Sequence, residues 1–64
     1  METLIIKAIY KGDHSMFEKG KEYSIIVTKI EKGWQLITID NDRKIHYYYS
    51  LKEFIGEWGN ISNL

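Results

Sequence analysis

The residue types that could support catalysis are few and poorly spaced. Asp13, His14 and Ser15 are the residue types of a hydrolase triad, but they are consecutive. The side chains of a triad converge from separate elements, and consecutive residues cannot reach that geometry. We therefore expect a solvated loop here, no catalytic residue and no enzymatic activity.

Metal and phosphate sites are also not predicted. His14 and His46 do not have the ligand spacing of a zinc site. Residues 40–42 (DND) resemble the start of a calcium loop but lack its Gly and its distal bidentate Glu. Residues 19–21 (KGK) lack the rest of a phosphate-binding loop. The sequence predicts turns at both places, with no metal and no cofactor.

Three consecutive tyrosines are the most informative stretch. Alternation along a strand sends Tyr47 and Tyr49 to one side and Tyr48 to the other. Tyr49 lies just before a predicted helix, in the position to form a hydrophobic staple with Phe54. This staple would turn Tyr47 and Tyr49 towards the core, and so we expect His46 and Tyr48 to face outward.

The outward residues form the predicted binding site: Trp34, His46 and Tyr48. Tyrosine offers a large amphipathic contact area at low entropic cost. The alternative is that Tyr48 only fills a cross-strand pair on a solvated face. If strand four has the opposite orientation, the exposed set becomes Ile45, Tyr47 and Tyr49.

Four segments with strand patterns position these residues: 3–10, 22–30, 34–39 and 43–49. In the first, the uncharged face is expected in the core: Leu4, Ile6, Ala8 and Tyr10. Glu31-Lys32-Gly33 predicts a hairpin with positive φ at Gly33, and residues 40–42 predict a second hairpin. Residues 25–27 (IIV) and 36–37 (LI) break strict alternation, so either both faces are buried or a bulge bends the strand. This favours a curled barrel.

Two further segments complete the prediction. The loop over residues 12–20 is long enough for a functional loop, but we expect Phe17 to plug one end of the core. Ser50 and Glu53 fit a capping box that opens a helix over residues 50–58, with Gly59 as its stop. The helical spacing predicts one apolar face, formed by Leu51, Phe54, Ile55 and Trp58. From this face, Phe54 and Trp58 are expected to pack on the sheet.

Composition limits the protein class. The 64 residues are expected to form one domain spanning residues 1–64, with nine basic and nine acidic residues and no cysteine. A disulfide-stapled secreted scaffold is thereby excluded. The longest apolar run is far shorter than the roughly 18 residues of a membrane span, and the acidic start leads directly into a strand pattern. We therefore expect a cytoplasmic protein with no membrane contact.

The chain resembles small proteins encoded by phages and prophages of low-GC Gram-positive bacteria. The resemblance rests on residues 7–12 (KAIYKG), residues 17–23 (FEKGKEY), residues 49–51 (YSL), Phe54 and Trp58. Those proteins look like SH3-like barrels, with a long first loop, a meander and a short capped helix. The resemblance implies a mainly β, small SH3-like antiparallel barrel of four or five strands with one short C-terminal helix. It implies no activity and no binding residues.

These expectations lead to a small interaction module that binds a protein partner. The alternative is a nucleic-acid accessory protein that stacks bases on exposed aromatics. The zero net charge of the chain disfavours nucleic-acid binding. That alternative would also require four cations to converge beside Tyr48: Lys21, Lys29, Arg43 and Lys44. A third hypothesis is self-association as a homodimer.

Overall fold

The structure, a computed structural model, describes residues 3–40 and 42–63. Its elements are β1 (Thr3–Tyr10), β2 (Glu22–Ile30), β3 (Gly33–Thr38), β4 (Ile45–Tyr48), α1 (Leu51–Glu57) and β5 (Trp58–Asn63). The strands form one antiparallel sheet in the order β4-β3-β2-β1-β5. The prediction of a mainly β, antiparallel fold with one short helix is confirmed. Asn41, in the predicted second turn, lies outside the described residues.

The sheet is curled but not closed into a barrel. Its two edges are β4 and β5, and no backbone pairing joins them within the described ranges. The short helix α1 connects these edges and packs on both, so it holds their backbones apart. Side chains bridge the gap, because Tyr48 on β4 hydrogen-bonds to Glu57 and Trp58 on the other side. The predicted curled barrel is therefore an open sheet, whose edges are joined by side chains and not by strand pairing.

The inner face of the first three strands forms most of the core. Ile6, Ala8 and Tyr10 of β1 are buried, as predicted, but Leu4 is 56% exposed. On β2 and β3 the alternating inner residues are buried: Tyr23, Ile25, Val27, Leu36 and Thr38. Phe17 is buried against them from the long loop, which confirms the predicted plug. Leu4 stays exposed because it lies at the open end of this core.

Adjacent apolar residues on β2 do not mark a bulge. Pairing runs without a break from β1 to β2 and from β2 to β3. Ile25 and Val27 point into the core, while Ile26 is half-buried on the outer face. The irregularity lies instead between β1 and β5, where the register shifts between Lys7 and Ile9 and Asn60 has a φ of 49°. Apolar residues therefore occupy both faces of a regular central sheet.

The predicted orientation of β4 is wrong. Tyr48 is 5% exposed, whereas Tyr47 and Tyr49 are 60% and 84% exposed. Register places Tyr48 opposite Trp34 and His46 opposite Leu36, so both side chains lie on the inner face. The exposed Tyr49 does not form a staple with Phe54. The predicted orientation of β4 depends on the staple between Tyr49 and Phe54, and this contact does not form.

The turn before β4 explains its short length and its register. The Asp40 carboxylate accepts hydrogen bonds from the backbone N–H groups of Asp42 and Arg43, at 3.0 and 2.9 Å. The Thr38 hydroxyl donates to the same oxygen and accepts from Lys44 N–H at 2.8 Å. These bonds extend the turn to Lys44, so β4 begins at Ile45 rather than at the predicted residue 43.

The helix begins as predicted but buries less of its surface. Ser50 is the N-cap, and its hydroxyl accepts from Glu53 N–H at 3.3 Å. Phe54 is the buried residue of α1, whereas Leu51 and Ile55 are 46% and 56% exposed. Seven residues form only two turns, so a single position reaches the core. The predicted burial of Phe54 and Trp58 is confirmed, whereas the rest of the predicted apolar face, Leu51 and Ile55, stays largely uncovered.

The segment after the helix forms β5, which the sequence pattern did not indicate. Trp58 ends the helix and begins the strand, and it is 1% exposed. Gly59, Asn60, Ser62 and Asn63 are weak strand formers, so pairing with β1 imposes the extended conformation. Within the described part of the chain, no helix has the length and apolar character needed to cross a membrane.

Candidate functional site

An apolar groove lies at the open end of the curled sheet, between α1 and the inner face. It has a volume of about 230 Å³. Elements from the whole fold contribute its lining: Leu4 and Ile6 of β1, Val27 of β2, Trp34 of β3, Leu51, Phe54 and Ile55 of α1, and Ile61 and Asn63 of β5. The groove is therefore a gap in the cover of the core rather than a loop-built pocket.

The side chains around this groove are unusually exposed for their type. Leu4, Leu51, Ile55 and Ile61 are between 43% and 56% exposed. Single exposed apolar residues are ordinary, but a contiguous cluster marks an interaction surface. The floor of the groove is formed by buried core residues that include Phe54. An occupant that covers the groove would extend the hydrophobic core.

The size and charge of the groove limit what it can hold. A cavity of about 150 Å³ lined by aliphatic and aromatic side chains can hold benzene. The larger groove here accommodates one aromatic or leucine side chain. None of its lining residues is charged, but the Lys29 ammonium lies 5.3 Å from the centre of the Trp34 ring at its edge. This cation favours an acidic group beside the apolar one.

The three predicted site residues share one face but not one environment. Trp34 is half-buried and lines the groove. Tyr48 lies opposite Trp34 and bridges the gap between the sheet edges, whereas His46, two residues along β4, lies on the same face against the long loop. Trp34 is thus part of the candidate site, whereas buried Tyr48 offers no accessible contact. Leu51 and Ile55 were missed as site residues because their spacing indicates a buried helix face as readily as an exposed one.

Tyr48 acts as a structural bridge. Its hydroxyl donates to the Glu57 carboxylate at 2.7 Å and accepts from the Trp58 indole N–H at 2.9 Å. Burial raises the pKa of Tyr48 well above its usual range, and the bond to Glu57 raises it further, while the Trp58 N–H opposes them. The phenol therefore stays protonated at neutral pH and keeps donating to Glu57.

His46 packs against the long loop rather than facing solvent. Its ring centre lies 5.2 Å from that of His14, 5.9 Å from that of Phe17 and 4.9 Å from that of Tyr48. His14 Nδ1 accepts a hydrogen bond from Met16 N–H at 3.0 Å. No group of three metal-ligating side chains is found in ranges 3–40 and 42–63. Two tyrosine hydroxyls also hold this loop, because Tyr10 accepts from His14 N–H and Tyr23 from Glu18 N–H.

The cations required for nucleic-acid binding do not converge. The ammonium groups of Lys21 and Lys44 lie 5.1 and 5.9 Å from the centre of the Tyr23 ring. Lys29 lies over Trp34, and Lys29 and Trp34 pair at the opposite end of β2 from Tyr23. With Lys29 apart from Lys21 and Lys44, and with Tyr48 buried, the residues do not form the single face that this alternative requires.

No protein-family model, no curated protein and no solved structure matches this chain.

Proposed function

We propose that this chain is a small, non-enzymatic interaction module that binds a protein partner through the apolar groove. One observation carries the proposal: four large aliphatic side chains, each more than two-fifths exposed, surround an opening onto the core. Complete burial of a fully exposed side chain of this size contributes about 1.5–3 kcal/mol, and covering one that is half exposed contributes roughly half of that. A partner that covers the rim therefore gains affinity without any rearrangement of the fold.

The groove favours a particular kind of ligand. Its volume suits one large apolar side chain, and the lysine at its edge favours an acidic neighbour. The ligand is therefore a peptide segment in which a Phe, Trp or Leu anchor lies next to Asp or Glu. Because the lining itself carries no charge, the anchor supplies most of the affinity and the acidic residue supplies orientation.

We further propose an SH3-like architecture and a phage or prophage origin, with the cytoplasm as the compartment. The support for the architecture is the strand order β4-β3-β2-β1-β5, together with the long loop after β1 and the short helix before β5. The support for the origin is the resemblance of residues 7–12, 17–23 and 49–51 to such proteins. The absence of cysteine supports a reducing compartment.

A displayed library of random peptides tests the binding proposal. Selection on the wild-type protein should enrich peptides with a large apolar anchor beside an acidic residue. Ile55→Glu places a charge in the groove and should weaken the selected peptides at least tenfold. Ile45→Glu is the matched control, because Ile45 is 45% exposed on the outer face of the sheet. It should leave peptide affinity unchanged.

Two results would contradict the proposal. Peptides that bind Ile55→Glu as tightly as the wild type would show that the groove is not the site. Loss of binding in Ile45→Glu alone would move the site to the outer face. Near-ultraviolet circular dichroism of both variants checks that each retains the native packing of the aromatic core.

A further inference from the structure

The outer face of the sheet carries a row of isoleucines. Ile5 pairs with Ile26, Ile26 with Ile37, and Ile37 with Ile45, so the four side chains cross β1 to β4 in one line. Ile5 and Ile45 are 50% and 45% exposed, and the two central residues are half-buried. An antiparallel sheet normally presents polar residues on its solvent face. This row departs from that pattern, and a partner that covers it would bury exposed apolar surface.

An uncharged and mostly polar row lies next to the isoleucines. The next row consists of Thr3, Thr28, Gln35 and Tyr47, and the Thr3 and Thr28 hydroxyls lie 3.4 Å apart. Ile30 and Tyr49 follow, with Tyr47 beside them around one shallow depression whose lining also includes Tyr48 and Lys32. The three rows, without Lys32, are called the outer face below. None of the residues in these rows is charged.

We propose that the outer face binds a second copy of this chain and forms a face-to-face dimer. An interface with twofold symmetry must be complementary to itself. An uncharged surface with an apolar row meets this condition because it never sets like charges against each other. The zero net charge of the chain also removes long-range repulsion between copies.

The borders of the outer face are compatible with this pairing. Four exposed charged residues lie beyond the isoleucine row, namely Lys7, Glu22, Asp40 and Arg43, and exposed Glu31 and Lys32 lie beyond the opposite border. Each border thus carries equal numbers of charges of each sign. When two copies stack, either border can meet opposite charges on its partner.

The area predicts a weak dimer. Four strands spaced about 4.8 Å apart make the outer face roughly 19 Å wide, and two full rows and one half-filled row, spaced about 6.8 Å apart, give it a mean length of roughly 17 Å. Each copy therefore offers roughly 320 Å² in projection, against about 800 Å² of accessible surface per partner in a standard interface. We expect dissociation in the high micromolar range, with monomer and dimer exchanging rapidly.

Sedimentation velocity tests the dimer. Between about 10 µM and 1 mM the weight-average mass of the wild type should rise from that of one chain towards twice that value. Ile45→Lys should remain monomeric throughout this range. Ile55→Lys in the groove is the control and should associate like the wild type. A wild type that stays monomeric at 1 mM, or association lost in Ile55→Lys and kept in Ile45→Lys, would overturn the proposal.

A crosslinking measurement covers the case in which Ile45→Lys does not fold. The chain has no cysteine, so a single introduced thiol reports only on contacts between copies. Gln35→Cys lies at the centre of the outer face, and mild oxidation should convert most of it to a covalent dimer. Lys52→Cys, on the exposed side of α1, should dimerise several-fold more slowly. Equal rates for the two thiols would contradict the proposed interface.

Discussion

The hydroxyl of Tyr48 lies between the two edges of the sheet. It accepts a hydrogen bond from the Trp58 indole N–H on one side and donates a hydrogen bond to the Glu57 carboxylate on the other. These bonds connect β4 to α1 and β5 at a place where no backbone pairing does so within the described residues. The Tyr48 phenol therefore links the two sheet edges, which in a closed barrel are joined by strand pairing.

Replacing Tyr48 with Phe should destabilise the fold. The change keeps the ring but leaves the Trp58 N–H without a partner and removes a hydrogen bond to a carboxylate, which costs about 1–3 kcal/mol. Tyr47→Phe is the control and should change the free energy of unfolding by less than about 0.5 kcal/mol, because Tyr47 is exposed. Urea unfolding measures both variants. Equal stability of the two would show that the Tyr48 bonds contribute nothing.

The raised pKa of Tyr48 predicts a loss of stability at alkaline pH. Burial raises the pKa of Tyr48, and also that of Tyr10, above their usual value near 10. A group with a raised folded-state pKa contributes stability that is complete below its unfolded-state pKa and declines as pH rises towards the folded-state value. The urea midpoint should therefore fall above about pH 10. Tyr48→Phe should show a smaller fall, and an identical pH profile would contradict the assignment.

At the scale of elements, the start of α1 is defined by two side chains. Ser50 accepts from Glu53 N–H, and the Glu53 carboxylate accepts from Tyr49 N–H at 3.0 Å. In a standard capping box the second bond goes to the N-cap residue itself. Here it goes one residue earlier, which fixes the backbone where β4 ends. The cap therefore secures the connection between strand and helix.

Removing this cap should lower the stability of the whole domain. Ser50→Ala deletes the acceptor for an otherwise unpaired N–H group and should cost about 0.5–2 kcal/mol. The expected fall in Tm is about 4–8 °C per kcal/mol. Lys52→Ala, at an exposed position inside α1, is the control and should leave Tm within about 2 °C. An unchanged Tm in Ser50→Ala would mean that water replaces the hydroxyl without loss.

At the scale of the whole molecule, the core is organised around Trp58. Its ring lies between 5.0 and 6.3 Å, centre to centre, from four others: Tyr10, Phe17, Tyr23 and Phe54. These rings come from β1, the long loop, β2 and α1. Because a domain of this size has a thin core, one indole holds together elements that are distant in sequence.

Trp58→Ala should therefore unfold the protein. Truncating a buried Trp costs about 3–5 kcal/mol, which is most of the stability expected of so short a chain. Far-ultraviolet circular dichroism at 25 °C should show loss of the β signal. Ile55→Ala is the control and should remain folded, since Ile55 is 56% exposed. A cooperative thermal transition at native temperature in Trp58→Ala would contradict the central role of this ring.

Local patterns determined the elements of this protein. The boundaries of β1 and β2, the positive φ of Gly33, the N-cap at Ser50 and the burial of Phe17 all follow from residue types and their spacing. Each depends on physics that acts over a few residues: alternation, glycine freedom at a turn, and the need of an N–H group for an acceptor.

Tertiary structure decided the rest. Period-two alternation gives β4 two faces but does not determine which of them is buried. That orientation is set by the pairing of Tyr48 with Trp34 and by the hydrogen bonds of the Tyr48 hydroxyl to Glu57 and Trp58. The strand β5 exists because β1 supplies a partner for a segment with little strand propensity. The groove and the outer face depend on what the fold leaves uncovered, and exposure is a property of the assembled molecule.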